Sequence, residues 1–565
     1  MKPKNIWMSV SLMITLCPVT SFAELMTEGS IGTQARAYWH YAIALYSLRM
    51  NHPEQSLVEF EQAARYDPES TSIHKRLAYN YYMEGLENKS VEELQKSIDL
   101  NPEDFETRQQ MAELMASQGE YSKAQHQLEF IIQKNPGNIK ARYELAGILA
   151  SQNKFDDALG AYQNLLTLDP KQADAYYNMG LLYTRDNQAV KAEQYFRKAI
   201  ETDPTLEAPY TSLGLIYEWE KNETQAIATY QALVKVNPES AQAYQALGEL
   251  YAGQKRDAEA LDAFQKYSKL KPTDASALDS IGICQYRLKK YDDAMASFQA
   301  FLEKEPRNAL VRFHLAATCE EKGMWKEAEE QLRSILANDD KSADAWVRLI
   351  LLMEKESKTD EAAQTLKDAL KINSNNADLI LLEAMSEHEK GDLASAEEHY
   401  RKVIQLDPQN TQAFFNLGVL LDKKGKVDEA MEAMRKVMKL DPQNAEAYNY
   451  VGYSYADRNI RLDEAKELVE KAVQIEPQNA YYLDSLGWVY YRRADLVGAK
   501  AQLEKAEGYI KDGQKDNAVV YDHLGEVFLK MGDKESAVLQ WQKAAELDPD
   551  NKDYPSKISK AKTTP

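Results

Sequence analysis

Cysteine, metal-ligand patterns and catalytic motifs are scarce in this sequence of 565 residues. Its three cysteines, Cys17, Cys284 and Cys319, are too few for a disulfide-stapled scaffold. Its eight histidines include no close ligand pair of the His-Glu-x-x-His kind, and the sequence contains no glycine-rich phosphate loop or Gly-x-Ser-x-Gly elbow. We therefore predict a protein that is not an enzyme and that binds no metal or cofactor.

Basic residues are also in deficit. The chain has 68 Lys and Arg residues against 89 Asp and Glu residues, which gives a formal net charge of −21 at pH 7. A field of this sign repels phosphate backbones, so we expect no nucleic-acid partner. Glu and Lys side chains on solvated helix faces account for most of the charge.

Only the N-terminus carries a long apolar run. Lys2 and Lys4 precede an uncharged, largely apolar segment from Ile6 to Val19, which ends at the small-x-small sequence 21–23. This order predicts a Sec signal peptide over residues 1–23. The run is shorter than the roughly 20 residues that span a bilayer. No second run of that length follows, so we expect no transmembrane segment after signal cleavage.

Cys17 within this segment leaves a lipid-anchored alternative. A small residue usually precedes a lipid-modified cysteine, whereas Leu16 precedes Cys17 here. We therefore predict soluble export to a periplasmic or secreted location. Peripheral attachment at the outer membrane is the alternative location.

The prolines reveal the organisation of the remaining chain, which is too long for one ordinary globular core. Eight successive prolines stand 34 residues apart, and the series resumes further on. Its members are Pro68, Pro102, Pro136, Pro170, Pro204, Pro238, Pro272, Pro306, Pro408, Pro442, Pro477 and Pro549. Most follow Asp or Asn, as is typical of helix ends and turns. Self-similarity at a fixed period predicts a repeat architecture.

Each period contains two segments with the residue spacing of a helix. In one period a first set is followed, after a polar turn, by a second set: Tyr176, Met179, Gly180 and Tyr183, then Ala192, Phe196 and Ala199. Small residues recur at one register in each segment. They allow two helices to approach closely, because one presents no bulk where the other places a ring.

This pattern of aromatic-x2-Leu-Gly-x2-Tyr, Ala-x3-Phe and Pro resembles the tetratricopeptide repeat. Fifteen repeats are in phase from about Ala37 to Asn551. The resemblance implies an all-α fold, an α-α superhelical solenoid of about fifteen helix-turn-helix units. It also implies that the first helix of each pair lines a concave groove, in which partner proteins or peptides bind without chemical turnover.

The repeats divide the chain into six segments. These are the signal peptide (1–23), an N-terminal linker (24–36), repeats 1–9 (37–342), the degenerate repeats 10–11 (343–410), repeats 12–15 (411–551) and a basic C-terminal tail (552–565). In the degenerate segment Ile350 replaces a small residue, and Glu383 and Glu387 replace Leu and Tyr. Since an unpaired buried carboxylate is costly, we expect the helix containing them to be rotated or loosely packed. Repeat drift and a functional hinge are both open explanations.

The densest aromatic stretch, AYYLDSLGWVYYRR at 480–493, predicts the partner-binding site. If Leu486, Gly487 and Tyr490 pack as the register requires, other residues of this helix project toward the groove. With their equivalents in the two neighbouring repeats, the predicted site residues are Asn449, Tyr453, Tyr481, Asp484, Trp488, Tyr491, Arg492, Asp522 and Glu526. Aromatic residues rimmed by charges and amides are typical of interaction hot spots, although aromatics at helical spacing are also typical of cores.

A second, weaker patch is predicted near the N-terminus, and the C-terminal stretch suggests a cellular context. The N-terminal patch comprises Tyr41, Arg49, Lys75, Tyr79 and Tyr82. The sequence DSLGWVYY is similar to C-terminal repeats of exported bacterial repeat proteins. This similarity favours a bacterial cell-envelope context. The repeat family then implies a scaffold that binds partner proteins there, in envelope assembly, secretion or polysaccharide export. The alternative function is binding of glycans, such as a polysaccharide, with Trp488, Tyr453 and Tyr491 stacking on sugar rings.

Overall fold

The computed structural model describes residues 32–510 and 514–563. The predicted signal peptide and most of the predicted linker lie outside the described residues. Within the described ranges the chain forms 31 α-helices, one 3-10 helix and no strand, which confirms the predicted all-α fold. No α-helix in these ranges is both long enough and apolar enough to cross a bilayer.

The chain divides into two compact halves, which we describe separately. The N-terminal half ends at Ala277 and the C-terminal half begins at Leu278. The N-terminal half contains α1 (Thr33–Arg49), α2 (Pro53–Tyr66), α3 (Thr71–Met83), α4 (Glu87–Leu100), α5 (Phe105–Ser117), α6 (Tyr121–Lys134), α7 (Ile139–Ser151), α8 (Phe155–Leu168), α9 (Ala173–Arg185), α10 (Ala189–Thr202), α11 (Glu207–Trp219), α12 (Glu223–Val236), α13 (Ala241–Gly253) and α14 (Asp257–Leu270).

The boundary between the halves falls near the start of α15 (Ser276–Arg287). The C-terminal half continues with α16 (Tyr291–Lys304), α17 (Ala309–Glu321), α18 (Trp325–Asn338), α19 (Ala343–Lys355), α20 (Thr359–Ile372), α21 (Ala377–Glu389), α22 (Leu393–Leu406), α23 (Thr411–Lys423), α24 (Val427–Leu440), α25 (Ala445–Asp457), α26 (Leu462–Ile475), α27 (Ala480–Arg492), α28 (Leu496–Tyr509), the 3-10 helix (Lys515–Asn517), α29 (Ala518–Met531), α30 (Lys534–Leu547) and α31 (Asp553–Thr563). From α1 to α30, each odd-numbered helix and the even-numbered helix after it form one hairpin, so the described chain contains the predicted fifteen repeats.

The turn inside each hairpin passes through a residue with left-handed backbone. These residues recur at the repeat interval, for example Asn153, Asn187, Lys221 and Lys255, with φ between 56° and 59°. Glycine adopts this conformation without strain and occupies it in six repeats, as at Gly85. The turn geometry is therefore common to the array, although the residue that adopts it varies.

Within a hairpin, the two helices approach closely at the small residue of the first helix. A Cβ atom added at Gly180 of α9 would lie 2.5 Å from the Phe196 ring of α10. At Gly525 of α29, the added atom would lie 2.5 Å from Trp541 of α30. Both rings are almost completely buried. Each small residue thus makes room for a large side chain, as the sequence register predicts.

The degenerate segment keeps this register. Ile350 is fully buried in α19, and Ala384, the small residue of α21, is fully buried as well. The expected rotation of α21 is therefore wrong. Its two unusual carboxylates, Glu383 and Glu387, are half-buried and meet His399 of α22, which spares the helix the cost of unpaired buried charge.

The residues predicted to be a basic tail contain a helix. Helix α31 packs on α30 and buries Tyr554 and Ala561, with Ile558 partly buried against the same core. These three side chains are spaced at i, i+4 and i+7, which places them on one face. The apolar core of the last repeat therefore extends into this segment.

Candidate partner-binding site

Three neighbouring first helices of the C-terminal half carry all nine predicted site residues. They are α25, α27 and α29, and α27 packs against both of the others. Asparagine caps fix the start of two of these helices: Asn444 accepts a hydrogen bond from the Ala447 amide, and Asn479 accepts one from the Tyr481 amide. Because successive first helices lie side by side, residues of equal register can meet across repeats.

Trp488 of α27 is the centre of the resulting cluster. Its ring stacks on His523 of α29, with centroids 4.1 Å apart, and on Tyr491, with centroids 4.8 Å apart. The guanidinium carbon of Arg492 lies 5.0 Å from the Trp488 ring centroid, within cation–π range. The structure thus brings three of the predicted residues together and adds a histidine that the sequence analysis missed.

Asp484 explains the position of that histidine. His523 Nδ1 donates to the Asp484 carboxylate, with distances of 2.9 and 3.1 Å to its two oxygens. Asp484 is only 4% exposed. The expectation that its carboxylate projects into the groove is therefore wrong: Asp484 fixes His523, which in turn stacks on Trp488.

The same contact recurs between other first helices. The residue two positions before the small residue reaches back to the preceding repeat, so that Asn178 donates to the Tyr143 hydroxyl at 2.8 Å. By the same geometry His314 donates to Asp279 at 2.8 Å. We call these contacts inter-repeat braces. His523 occupies the brace position, directly before Leu524 and Gly525, and this register is the sequence signal that could have identified it.

Arg492 and Tyr453 connect the cluster to α25. Arg492 Nε donates to the Ala456 carbonyl at 3.0 Å, and its Nη2 donates to the Asp457 carbonyl. A cation at the end of a helix is favoured by the partial negative charge of the last carbonyls. Burial raises the pKa of the Tyr453 hydroxyl to about 12, and the Asp484 carboxylate adds to the rise.

Asp522 and Glu526 contact the terminal helix rather than an open groove. Lys557 of α31 donates to Asp522 Oδ1 at 2.6 Å and lies 2.8 Å from Glu526 Oε1. Trp541 Nε1 also donates to Asp522, at 2.8 Å. Burial opposes the charge on Lys557, but its bonds to Asp522 and then to Glu526 outweigh that effect and raise its pKa. Both carboxylates are therefore neutralised by a residue that the sequence analysis placed in a tail.

Two polar atoms of the cluster remain unpaired. Asn449 Oδ1 and Trp488 Nε1 are buried and have no hydrogen-bond partner among the described residues. They are two of ten such atoms in the described ranges, and each costs about 1–3 kcal/mol when left unsatisfied. Nearby, Tyr481 is 43% exposed. Tyr481 therefore offers aromatic surface on α27, whereas the two unpaired atoms are closed to solvent and the charged groups of the cluster are paired within the protein.

The predicted N-terminal patch is only partly available. Tyr79 and Tyr82 are 53% and 51% exposed. Lys75, by contrast, donates to Asp104 at 2.9 Å, and the Tyr41 ring packs edge-on against Phe60. Arg49 is exposed at the end of α1, so this patch presents two aromatic rings and one guanidinium to solvent.

Sequence comparison matches the repeats to several family models, all described as tetratricopeptide repeats. One matches residues 115–160, 286–350 and 387–451. Others match residues 146–187, 224–275, 173–206 and 518–551. Together they cover more than half of the chain. A search of curated proteins found no match.

Several solved structures are similar to this chain. Yeast Tom70 is 16% identical, with a TM-score of 0.31, and the match covers 70% of this chain and 95% of that chain. The Cut9–Hcn1 hetero-tetramer of the APC/C is 16% identical, with a TM-score of 0.38 and coverage of 87% and 96%. YrrB, described as a TPR protein with an unusual peptide-binding site, is 23% identical, with a TM-score of 0.28 and coverage of 33% and 95%.

Proposed function

The chain belongs to the tetratricopeptide repeat family, and from this premise we propose that it is a non-catalytic scaffold that binds partner proteins or peptides. The cluster around Trp488 is the proposed contact site. The observation that carries the proposal is the stack of aromatic rings around Trp488, with Tyr481 exposed on the same helix.

An uncharged segment of extended peptide fits this chemistry. Each peptide unit carries one N–H donor, one C=O acceptor and no net charge. The acidic residues of the cluster, Asp484, Asp522 and Glu526, are already paired with His523 or Lys557. We therefore expect recognition to depend on aromatic packing and backbone hydrogen bonds more than on charge.

We place the protein in the bacterial cell envelope, either periplasmic, secreted or peripheral to the outer membrane. The support is the signal-peptide pattern at residues 1–23 and the similarity of DSLGWVYY to exported bacterial repeat proteins. Envelope assembly, secretion and polysaccharide export are the processes in which such a scaffold would hold its partners.

The test compares partner capture by the native chain and by a Trp488→Ala/Tyr491→Ala variant. Captured envelope proteins are identified by mass spectrometry, and peptides from them are then titrated against both chains. We expect the variant to bind at least about 30-fold more weakly, because aromatic hot-spot residues contribute 2 kcal/mol or more. Trp219→Ala is the matched control, since Trp219 is 79% exposed and lies in the other half of the chain.

Two outcomes would contradict the proposal. One is equal binding by the variant and the native chain, and the other is an equal loss in the Trp219→Ala control. Circular dichroism must show unchanged helicity in each variant, so that a loss of binding reflects the site and not the fold.

Glycan binding is the second candidate function, because Trp488, Tyr453 and Tyr491 are aromatic. The Trp488 ring already stacks on His523 and Tyr491 and lies beneath Arg492, so less of its surface is available to a sugar ring. Affinity electrophoresis in cell-wall and exported polysaccharides tests this function directly. Retardation of the native chain, abolished by the double variant, would favour a glycan over a peptide.

A further inference from the structure

A second cluster lies within a single hairpin, repeat 11, away from the aromatic site. Glu383 and Glu387 occupy consecutive turns of α21, and His399 faces them from α22. His399 Nδ1 is 2.7 Å from Glu387 Oε2, and His399 Nε2 is 3.8 Å from Glu383 Oε2. One ligand-type atom from each residue lies within 4.8 Å of those of the other two. The sequence analysis found no metal pattern because the three residues come from two helices.

The repeat register shows that these carboxylates are unusual. In repeat 6 the two equivalent positions hold Leu213 and Tyr217, which are both 2% exposed and belong to the core. In repeat 11 the same positions hold Glu383 and Glu387, with side chains 34% and 23% exposed. Two apolar core positions have thus become acidic together, on the same face of one helix, opposite a histidine.

Charge is not balanced within this cluster. Among the described residues, His399 is the partner of both carboxylates, and no Lys or Arg forms an ion pair with either. Two carboxylates and one imidazole carry a net charge of about −2 or −1, depending on whether the imidazole is neutral or protonated. A divalent cation would neutralise this excess and would bind the neutral imidazole.

We propose that Glu383, Glu387 and His399 form a binding site for a divalent transition metal ion of the zinc class. Two carboxylates and one imidazole are the donor types that zinc takes at about 2.0–2.2 Å, and three protein ligands leave a further position for water. The ligands are partly exposed, so an ion can reach them from solvent. Because they join α21 to α22, the ion would hold together the two helices of the degenerate repeat.

Other histidine–carboxylate contacts supply an internal comparison. His40 pairs with Glu59, His74 with Glu93 and His314 with Asp279. Each of these histidines meets one carboxylate, whereas His399 meets two. The second carboxylate is therefore what distinguishes a metal site from a structural ion pair.

The experiment uses the purified chain without a polyhistidine tag, stripped with chelator and titrated with Zn²⁺ by calorimetry and with Co²⁺ by visible absorption. We expect one equivalent to bind with high affinity and to give the ligand-field absorption of a protein-bound Co²⁺ ion. His399→Ala and Glu387→Gln should each weaken binding at least about tenfold, since even outer partners of a metal ligand contribute 10–100-fold. His314→Ala should bind as the native chain does.

Thermal unfolding supplies a second measurement. Zn²⁺ should raise the melting temperature of the native chain and of His314→Ala, because an ion that binds only the folded state stabilises it. It should not raise that of His399→Ala. Equal affinity in His399→Ala and the native chain, or the absence of a stoichiometric site in the native chain, would overturn the proposal.

Discussion

Two inter-repeat braces of the C-terminal half have the same chemistry but different surroundings. His314 donates to Asp279 between repeats 8 and 9, and His523 donates to Asp484 between repeats 14 and 15. The side chains of His314 and Asp279 are 29% and 19% exposed, whereas those of His523 and Asp484 are 7% and 5% exposed. The aromatic neighbours also differ: Trp488 stacks on His523 with centroids 4.1 Å apart, whereas the Phe298 ring is tilted against His314 with centroids 5.5 Å apart. A contact that is ordinary in this array has thus become the buried base of an aromatic cluster.

The largest predicted effect is the difference in stability between two variants, each of which lacks one of these histidines. His523→Ala leaves the Asp484 carboxylate buried without its partner, and we expect a loss of about 3–5 kcal/mol in the free energy of unfolding of the last repeats. His314→Ala removes a more exposed pair, and we expect a loss of about 1 kcal/mol or less. Hydrogen exchange measures each loss locally: α27 and α29 report on His523→Ala, and α15 and α17 report on His314→Ala. Equal losses would show that Trp488 does not change the energetics of the brace.

A smaller effect should follow from Trp488→Phe. The phenyl ring keeps the stack on His523 but removes the buried, unpaired Nε1 donor. We expect stability to be unchanged or raised by about 1 kcal/mol, while affinity for the captured partner peptide falls. Urea denaturation and peptide titration check the two parts. If stability falls by several kcal/mol instead, Trp488 is a core residue and not a recognition residue.

The smallest effect concerns pH and an ion pair within one hairpin, between His74 of α3 and Glu93 of α4. The hydrogen bond that His74 donates to Glu93 raises the pKa of His74. Burial alone would raise the pKa of Glu93, but the bonds that Glu93 accepts from His74 and Lys96 lower it. The raised pKa of His74 stabilises the folded state below about pH 6.5, and this stabilisation is lost as the pH rises through the pKa of the folded state. The lowered pKa of Glu93 stabilises the folded state above about pH 4.5, and this stabilisation is lost as the pH falls through the pKa of the folded state. This contribution should therefore be greatest between those two pH values.

Hydrogen exchange of α3 and α4 across pH 4 to 9, corrected for intrinsic exchange rates, measures this contribution. A His74→Gln variant should lose the component of the dependence near and above pH 6.5. His314→Gln serves as the control, since it alters a brace in the other half of the chain. Identical profiles for His74→Gln and the native chain would contradict the assignment.

The helix hairpins and their packing register can be predicted from the sequence, because both depend on residue patterns that are local and that recur in every repeat. Gly525 and Trp541 pack as the register requires, since a small residue and a ring recur at fixed positions in each repeat. The same helical period brings Trp488, Tyr491 and Arg492 together. The period says nothing, however, about which side chains of one repeat bond to those of the next.

The missed features all depend on contacts between separate helices. Asp484 is buried because His523 reaches it from 39 residues away. The sequence predicts a tail around Lys557 because α31 lacks the repeat motif, although the apolar residues of α31 have helical spacing. Glu383 and Glu387 predict a rotated or loosely packed helix because the sequence does not show that His399 faces them.

Helix α31 also has a consequence for assembly of the protein with itself. A stack of similar modules ends in a surface that resembles the surface each module offers its neighbour, and such heterologous contacts extend into open filaments unless they are blocked. By burying Tyr554 against the last repeat and joining Lys557 to Asp522 and Glu526, α31 occupies that surface. This eleven-residue helix thus covers the apolar core of repeat 15 where a further first helix would otherwise pack.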